Sequence, residues 1–335
     1  MKLDKISKQS EARRLDRVPG PEDELVLPES FGRRFLVVGD CEEEFDWAKP
    51  LDRASTGTSA IAALPDATRR FAEAGVVPTY VVDWPVATDP RSAATMADMA
   101  AAGLCDIGAH LHPWVNPPHQ EDVNRANSFA GMLPFELERA KLAALTSKLT
   151  ELTGKAPVAY RAGRYGIGPN SGSILAELGY RLDLSVRSHF DYSDEGGPDF
   201  TDFPIRPWRR GGLVEVPLTT CLAGPLGRFP ALTRIAALRG PFARTGLLNR
   251  IPLTPEGVPL AEAKQAIKVL LDRGHRLFSL WFHTPTVEPG HTAYVRDSAD
   301  LRTFRWWWDG VFDLFAREGV TPVRTGEIVA AAQRA

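Results

Sequence analysis

The chain has 335 residues, a formal net charge of −2, 44% hydrophobic residues and 24% charged residues. These values are typical of a globular protein, and the lack of a Lys/Arg block argues against a nucleic-acid partner. No window approaches the ~18 apolar residues of a membrane span, and the N-terminus has no signal-peptide-like apolar run. Three cysteines without metal-type spacing favour a reducing compartment, so we predict a cytoplasmic protein.

Predicted strands and helices alternate from Arg34 onward, after a polar stretch over residues 1–30 that predicts a flexible N-terminal arm. Short apolar runs predict strands at residues 34–40, 76–84, 104–112, 157–163, 181–186, 213–219, 276–283 and 320–323. Helical patterns lie between them, at residues 58–75, 89–103, 134–153, 168–180, 254–274 and 298–319, with a further helix at the C-terminus.

Two of these helices have clear end signals. Thr58 or Ser59 is a candidate N-cap for the first, and Pro65 within it predicts a late start or a kink. Asp89 followed by Pro90 predicts the start of the second.

The alternation indicates parallel βαβ units. Seven or eight such units favour a closed or nearly closed β/α barrel, built as one domain over residues 31–335. Stretches rich in Pro and Gly near residues 187–212 and 219–255 are predicted insertions.

Polar side chains stand at the ends of the predicted strands, where β/α barrels gather their chemistry. Asp40 ends the first strand, Arg161 ends the fourth and His283 ends the penultimate one. His110 and His112 are two residues apart at the end of the third strand, so both side chains point the same way. We therefore expect these residues to meet in one cleft.

Metal-assisted hydrolysis is the chemistry that needs such a set. Imidazole and carboxylate ligands hold divalent ions, a free carboxylate serves as base and a separate histidine serves as acid. Each residue alone has a plainer interpretation: Asp40 as a turn cap, residues 42–44 as a solvated loop, and His283 as a core histidine. Only their convergence favours a metal site.

The same segments, in order along about residues 34–325, resemble the motifs of the polysaccharide deacetylase (NodB-homology) superfamily. The resemblance is carried by GDCEEEFDW at 39–47, IGAHLHPW at 107–114, RAGRYG at 161–166 and LWFH at 280–283. It implies a distorted (β/α)7–8 barrel of the glycoside hydrolase/deacetylase type, which removes acetyl groups from N- or O-acetylated sugars.

The resemblance also implies roles for single residues. Asp40 takes the place of the general base, Arg161 orients it, and His283 is the general acid. The metal ligands are predicted to be Glu42, His110 and His112. Substrate contacts are predicted for Asp83, Trp84, Trp114, Arg164, Tyr165 and Trp281.

Two positions depart from the family pattern. Cys41 stands where the usual metal-binding Asp follows the base, although Glu42 fits an atypical branch with Asp-x-Glu in this motif. His112 follows His110 by two residues where four is usual, which leaves His119 as a possible substitute ligand. Zinc is the first expectation for the divalent ion, with nickel, cobalt or manganese as alternatives.

The predicted function is thus a metal-dependent hydrolase acting on an acetylated carbohydrate or glycan precursor. No nucleic-acid partner and no membrane span are expected, and nothing in the sequence supports an oligomer. The alternatives are an amidase acting on a C–N bond outside a sugar, and a glycan-binding protein with a decayed site. A glycosidase would need two carboxylates flanking the scissile bond, and the histidine-rich strand ends argue against it.

Overall fold

The structure, a computed structural model, describes residues 13–45 and 49–335. Residues 1–12 of the predicted arm, and Asp46 and Trp47 of the first motif, lie outside the described residues.

The described residues form a curled parallel sheet with helices on its outer side. The strands are β1 Arg33–Cys41, β2 Thr79–Val82, β3 Asp106–Leu111, β4 Ala159–Ala162, β5 Leu182–Asp183, β6 Trp208–Arg210, β7 Leu213–Glu215, β8 Thr220–Ala223, β9 Asn249–Pro252, β10 Leu277–His283 and β11 Val320–Pro322. The helices are α1 Leu64–Glu73, α2 Trp84–Thr88, α3 Pro90–Ala101, α4 Phe135–Thr153, α5 Ser171–Glu177, α6 Ala236–Arg244, α7 Leu260–Asp272, α8 Ser298–Arg317 and α9 Thr325–Gln333.

The main sheet has the order β10-β1-β2-β3-β4-β5-β7-β6, and β11 pairs with the start of β1. Its neighbours are parallel except for the antiparallel pair β6 and β7. Parallel pairing places the C-terminal ends of the parallel strands at the same rim, and the register sets Asp40 opposite His283 and His110 opposite Arg161.

The barrel closes without a continuous ladder between β7 and β10. Thr219 donates a backbone hydrogen bond to Ser279 over 3.2 Å and accepts one from Leu253 over 2.9 Å, and Trp281 then donates to Leu253 over 3.3 Å. The segment after β7 and the end of the second insertion therefore fill the gap, which confirms the predicted distorted barrel.

The sheet is buried on both faces, as parallel sheets are. Along β1, Phe35 and Val37 belong to the hydrophobic cluster under the helices, while Leu36 and Val38 belong to the cluster inside the barrel. Side chains alternate along a strand, so the even-numbered series of β1 continues inward to Asp40.

Several predicted boundaries need correction. The first helix begins with a 3-10 turn at Ser59–Ala63 and becomes α-helical at Leu64, which is the late start predicted from Pro65. The helix predicted from residue 254 begins only at Leu260, because Pro259 is its N-cap. The Asp89 cap is confirmed, since its carboxylate accepts from the Ser92 N–H over 2.9 Å.

From residue 13 onward, the segment predicted as an arm packs against the barrel. Leu15 is fully buried, and the Asp23 carboxylate forms an ion pair with Arg210 over 2.5 Å. These contacts fix the chain before β1 against the barrel. No helix within the described residues is long and apolar enough to cross a membrane.

Candidate active site

The alternation of side chains along each strand brings the predicted residues to one rim. On β10, Leu277 and Trp281 belong to the inner cluster, and His283 continues their series. On β3, Ala109 and Leu111 belong to the outer cluster, which turns His110 and His112 inward. The site therefore follows from strand periodicity combined with parallel register.

Asp40 lies between a cation and a histidine. Its Oδ1 is 3.1 Å from Arg161 Nη1, and its Oδ2 is 4.0 Å from His283 Nε2. Arg161 is fully buried and Asp40 is 3% exposed, so water screens this pair little. Arg161 therefore fixes one oxygen of Asp40, and the other oxygen is directed toward His283.

His283 is fixed by a carboxylate that lies before α7 in the chain. Its Nδ1 is 2.6 Å from Glu256 Oε2, and its backbone N–H donates to Glu256 Oε1 over 2.9 Å. Burial opposes charge on this imidazole, but the carboxylates of Glu256, Glu42 and Asp40 outweigh it and raise the pKa of His283 to about 10. The ring therefore carries a proton at neutral pH and directs Nε2 toward the cleft.

Glu42, His110 and His112 form a compact donor cluster. Glu42 Oε2 is 3.5 Å from Nε2 of each histidine, and all three residues are buried. The edge of a tetrahedron with metal–ligand bonds of 2.0–2.2 Å is about 3.3–3.6 Å. The spacing and donor types fit one divalent ion.

The outer nitrogens of the two histidines are already engaged. His110 Nδ1 lies 3.0 Å from the Arg161 carbonyl, which can only accept, so this nitrogen carries the hydrogen. His112 Nδ1 lies 2.7 Å from Glu43 Oε2. In the neutral rings both Nε2 lone pairs then face the Glu42 carboxylate, an arrangement that a shared cation satisfies.

Acidic groups behind His112 complete this arrangement. Burial and the neighbouring Glu42 charge raise the pKa of Glu43 to about 8, while burial and Glu43 raise that of Asp83. The pKa of Glu42 itself falls to about 2, because the charge of His283 and the close contacts with His110 and His112 outweigh its burial. Glu42 is thus the ionised carboxylate of the donor cluster, whereas Glu43 and Asp83 together retain a proton.

The RAGRYG segment forms a tight turn against the donor cluster. A Cβ at Gly163 would lie 2.1 Å from His112 Cδ2, so only glycine fits there. Arg164 and Tyr165 follow with φ values of 54° and 61°, a conformation that costs non-glycine residues on the order of 1 kcal/mol each. The turn places the Tyr165 ring 5.5 Å from the Arg161 guanidinium.

A cavity of about 840 Å³ opens above these groups. All six residues predicted to bind metal or catalyse lie on its walls: Asp40, Glu42, His110, His112, Arg161 and His283. Among the residues predicted to bind substrate, Arg164, Tyr165 and Trp281 also line it. The structure shows that these nine residues lie close together, and the roles assigned to them remain predictions.

The other three residues predicted to contact substrate, Asp83, Trp84 and Trp114, do not line this cavity. Asp83 is fully buried and accepts backbone N–H groups from Glu43 over 2.8 Å and Val86 over 2.9 Å. Trp114 stacks on His112 with ring centroids 4.3 Å apart, and Trp84 packs on the outer hydrophobic cluster. Asp83 and Trp114 therefore support the site residues from behind.

The two alternative ligands do not join the donor cluster. Cys41 faces the outer hydrophobic cluster, where burial raises the pKa of its thiol. His119 is exposed in the loop after β3 and stands outside the two groups of potential ligands found in the described residues.

Sequence reasoning missed Glu43, Glu256 and Arg187. Glu43 was part of an acidic run, and Glu256 lay within a predicted helix. The available signal against that helix was the Pro-Glu-Gly-Val-Pro stretch at 255–259, since proline and glycine both disfavour a helix interior. In the structure Gly257 has a φ of 78°, and the helix begins only after Pro259. No local pattern marks Arg187, which lies in an insertion.

Comparisons with known proteins bear on the fold. No protein-family profile and no curated protein sequence matches the chain. A solved structure assigned as a polysaccharide deacetylase from Mycobacterium smegmatis is similar at 17% identity, over 90% of this chain and 91% of that one, with a TM-score of 0.51.

Two further solved structures have a similar fold. One, assigned as a polysaccharide deacetylase from Pseudomonas aeruginosa PAO1, has 15% identity over 92% of this chain and 93% of its own, with a TM-score of 0.51. The Puue allantoinase has 16% identity over 94% of this chain and 97% of its own, with a TM-score of 0.54. The chain therefore has the distorted β/α-barrel fold of the polysaccharide deacetylases, the NodB-homology type.

Proposed function

We propose that the protein is a metal-dependent hydrolase that removes an acetyl group from an N- or O-acetylated carbohydrate or glycan precursor. The observation that carries the proposal is one cavity in which the Asp40 carboxylate, the His283 imidazole and a three-donor cluster face each other. Hydrolysis of an unreactive acetyl group needs a base, an acid and charge stabilisation together.

Glu42, His110 and His112 would hold the ion, for which zinc is the first choice on ligand type and nickel, cobalt or manganese also fit. A divalent ion at such a site acidifies water and polarises a carbonyl oxygen. Glu43 and the Arg161 carbonyl fix the histidine rings by bonding their Nδ1 atoms. These contacts keep both Nε2 atoms directed at Glu42.

The chain's own groups account for the proton transfers. Asp40 accepts the proton of the attacking water, and Arg161 holds that carboxylate in position at 3.1 Å. His283 is protonated and donates to the nitrogen or oxygen of the leaving sugar as the bond to the acetyl carbon breaks. After one turnover Asp40 has gained one proton and His283 has lost one, so proton exchange with water restores both groups.

A second candidate is hydrolysis of an amide bond outside a sugar. The likeness in fold to a protein named an allantoinase favours it, because that name does not refer to a sugar. The same base, acid and donor cluster would serve such a substrate.

The test combines metal analysis with acetate release from a panel of acetylated sugars. We expect Asp40→Asn to lower turnover about a thousandfold while keeping the metal, because only the proton acceptor is lost. His110→Ala should lose both metal and turnover, whereas His119→Ala, the control on an exposed histidine, should keep both. Full metal occupancy in His110→Ala, or wild-type turnover in Asp40→Asn, would contradict the proposal.

A further inference from the structure

We propose that the substrate carries an anionic group, a carboxylate or a phosphate, which binds the guanidinium of Arg187 beside the reaction centre. This inference rests on the proposed function and narrows its substrate class to acylated acids.

Arg187 is held firmly in the cavity wall. Its guanidinium carbon lies 3.8 Å from the Phe190 ring centroid, and Nη1 donates to the Tyr192 hydroxyl over 2.9 Å. It is half-buried and lines the same cavity as the base and the donor cluster. A cation fixed this way is preorganised for a ligand, since little side-chain entropy remains to be lost.

Within the part of the chain that the structure describes, the charge of Arg187 has no ion-pair partner. Among the arginines that line the cavity, Arg161 faces Asp40 and Arg164 forms an ion pair with Glu195. Within residues 13–45 and 49–335 Arg187 forms no ion pair, and its buried Nε–H makes no hydrogen bond. A guanidinium partly withdrawn from water favours an anion that its remaining N–H groups can bind.

The position of Arg187 ties the anion to the reacting bond. The Tyr165 and Trp281 ring centroids lie 5.0 and 5.1 Å from the Arg187 guanidinium. The same centroids lie 5.5 and 5.3 Å from the guanidinium of Arg161, which contacts the base. One pair of rings therefore separates the unpaired cation from the catalytic one, so a small substrate can span both.

Packing on aromatic rings is the competing explanation of Arg187, because cation–π contacts alone stabilise a guanidinium. A packing role predicts that Arg187→Gln lowers stability and affects all ligands alike. An anion-binding role predicts a selective loss. The contrast between charged and neutral ligands distinguishes the two.

The experiment measures binding by calorimetry in the Asp40→Asn background, where turnover is blocked. The probes are N-acetylglucosamine 6-phosphate, N-acetylmuramic acid and neutral N-acetylglucosamine, so phosphate and carboxylate are tested separately. We expect at least one anionic probe to bind tenfold or more tighter than the neutral one. Arg187→Gln should remove that preference and leave neutral binding unchanged, and Arg187→Lys should restore part of it.

Arg250→Gln is the matched control. Its guanidinium carbon lies 3.7 Å from the same Phe190 ring, but Arg250 is not among the residues lining the cavity. The Arg250→Gln substitution removes an equal charge nearby and should leave the preference for the anionic probes unchanged. A preference that survives Arg187→Gln, equal binding of all three probes, or no binding of either anionic probe would overturn the inference.

Acetate release by the wild type separates this inference from the proposed function. Equal kcat/KM on neutral and anionic sugars would refute the anion site alone. Selective anion binding through Arg187 without acetate release from any probe would refute the deacetylase and leave the anion site standing.

Discussion

The histidines of the site share one arrangement at the level of single residues. His110, His112 and His283 each engage Nδ1 with an oxygen acceptor behind them and direct Nε2 into the cleft. The carbonyl behind His110 places a hydrogen on its Nδ1, whereas the carboxylate behind His283 favours the charged ring.

Glu256 is therefore expected to set the pH range of activity. Its carboxylate raises the pKa of His283, and a general acid must be protonated, so activity is lost as pH rises through that pKa. Glu256→Gln should lower the pKa of His283 and move the alkaline loss of kcat/KM down by about one to two pH units. The measurement is a pH profile of kcat/KM on the best acetylated substrate.

Glu44→Gln is the control for a carboxylate of the same cavity. Glu44 lies 3.4 Å from His291 Nδ1 and is not a partner of His283. In Glu44→Gln the alkaline loss of kcat/KM should occur at the same pH as in the wild type. If the alkaline loss of kcat/KM in Glu256→Gln stays at the wild-type pH, His283 is not the acid whose titration limits the rate.

At the level of elements, the loop that follows β3 is held by helix α4. The Lys141 ammonium, fully buried, donates to the carbonyls of Pro113, Asn116 and Pro118 over 2.7–2.9 Å. It also lies 3.0 Å from Glu121 Oε1. One side chain thereby fixes the backbone immediately after His112 and links the donor cluster to the outer layer.

Lys141→Met should destabilise the protein by about 3 kcal/mol, because three carbonyls and one carboxylate lose a buried cation. The measurement is the free energy of unfolding from chemical denaturation. Lys148→Met is the control on the same helix, since Lys148 pairs only weakly with Glu151 at 3.3 Å and should change stability by less than about 0.5 kcal/mol. Equal effects of the two variants would contradict this role of Lys141.

For the whole molecule, the sequence predicts what strand periodicity and parallel register determine. Asp40, Arg161 and His283 sit at strand ends, so a barrel alone brings them together. Arg187 reaches the site from an insertion and Glu256 from the loop before α7, and both positions depend on long-range packing. The buried Leu15 was missed for the same reason, because its partners are distant in the chain.

Stability of the whole molecule in acid should depend on His275, which is 8% exposed beside Phe278. Burial lowers the pKa of His275 to about 4, whereas the unfolded chain titrates near 6.5. Above pH 6.5 both states are neutral and the residue contributes nothing. As pH falls toward 4 the unfolded state binds a proton that the folded state does not, which costs about 2 kcal/mol of stability at pH 5.

His275→Phe removes this titration and keeps a ring against Phe278. The variant should therefore lose about 2 kcal/mol less than the wild type when the pH is lowered from 8 to 5, as measured by denaturant unfolding at both values. At pH 8 the difference in unfolding free energy between the wild type and His275→Phe measures the packing cost alone, because the imidazole is neutral in both the folded and the unfolded state. Parallel losses in the two proteins would mean that His275 already takes up its proton in the folded state, and acid sensitivity would then arise elsewhere in the barrel.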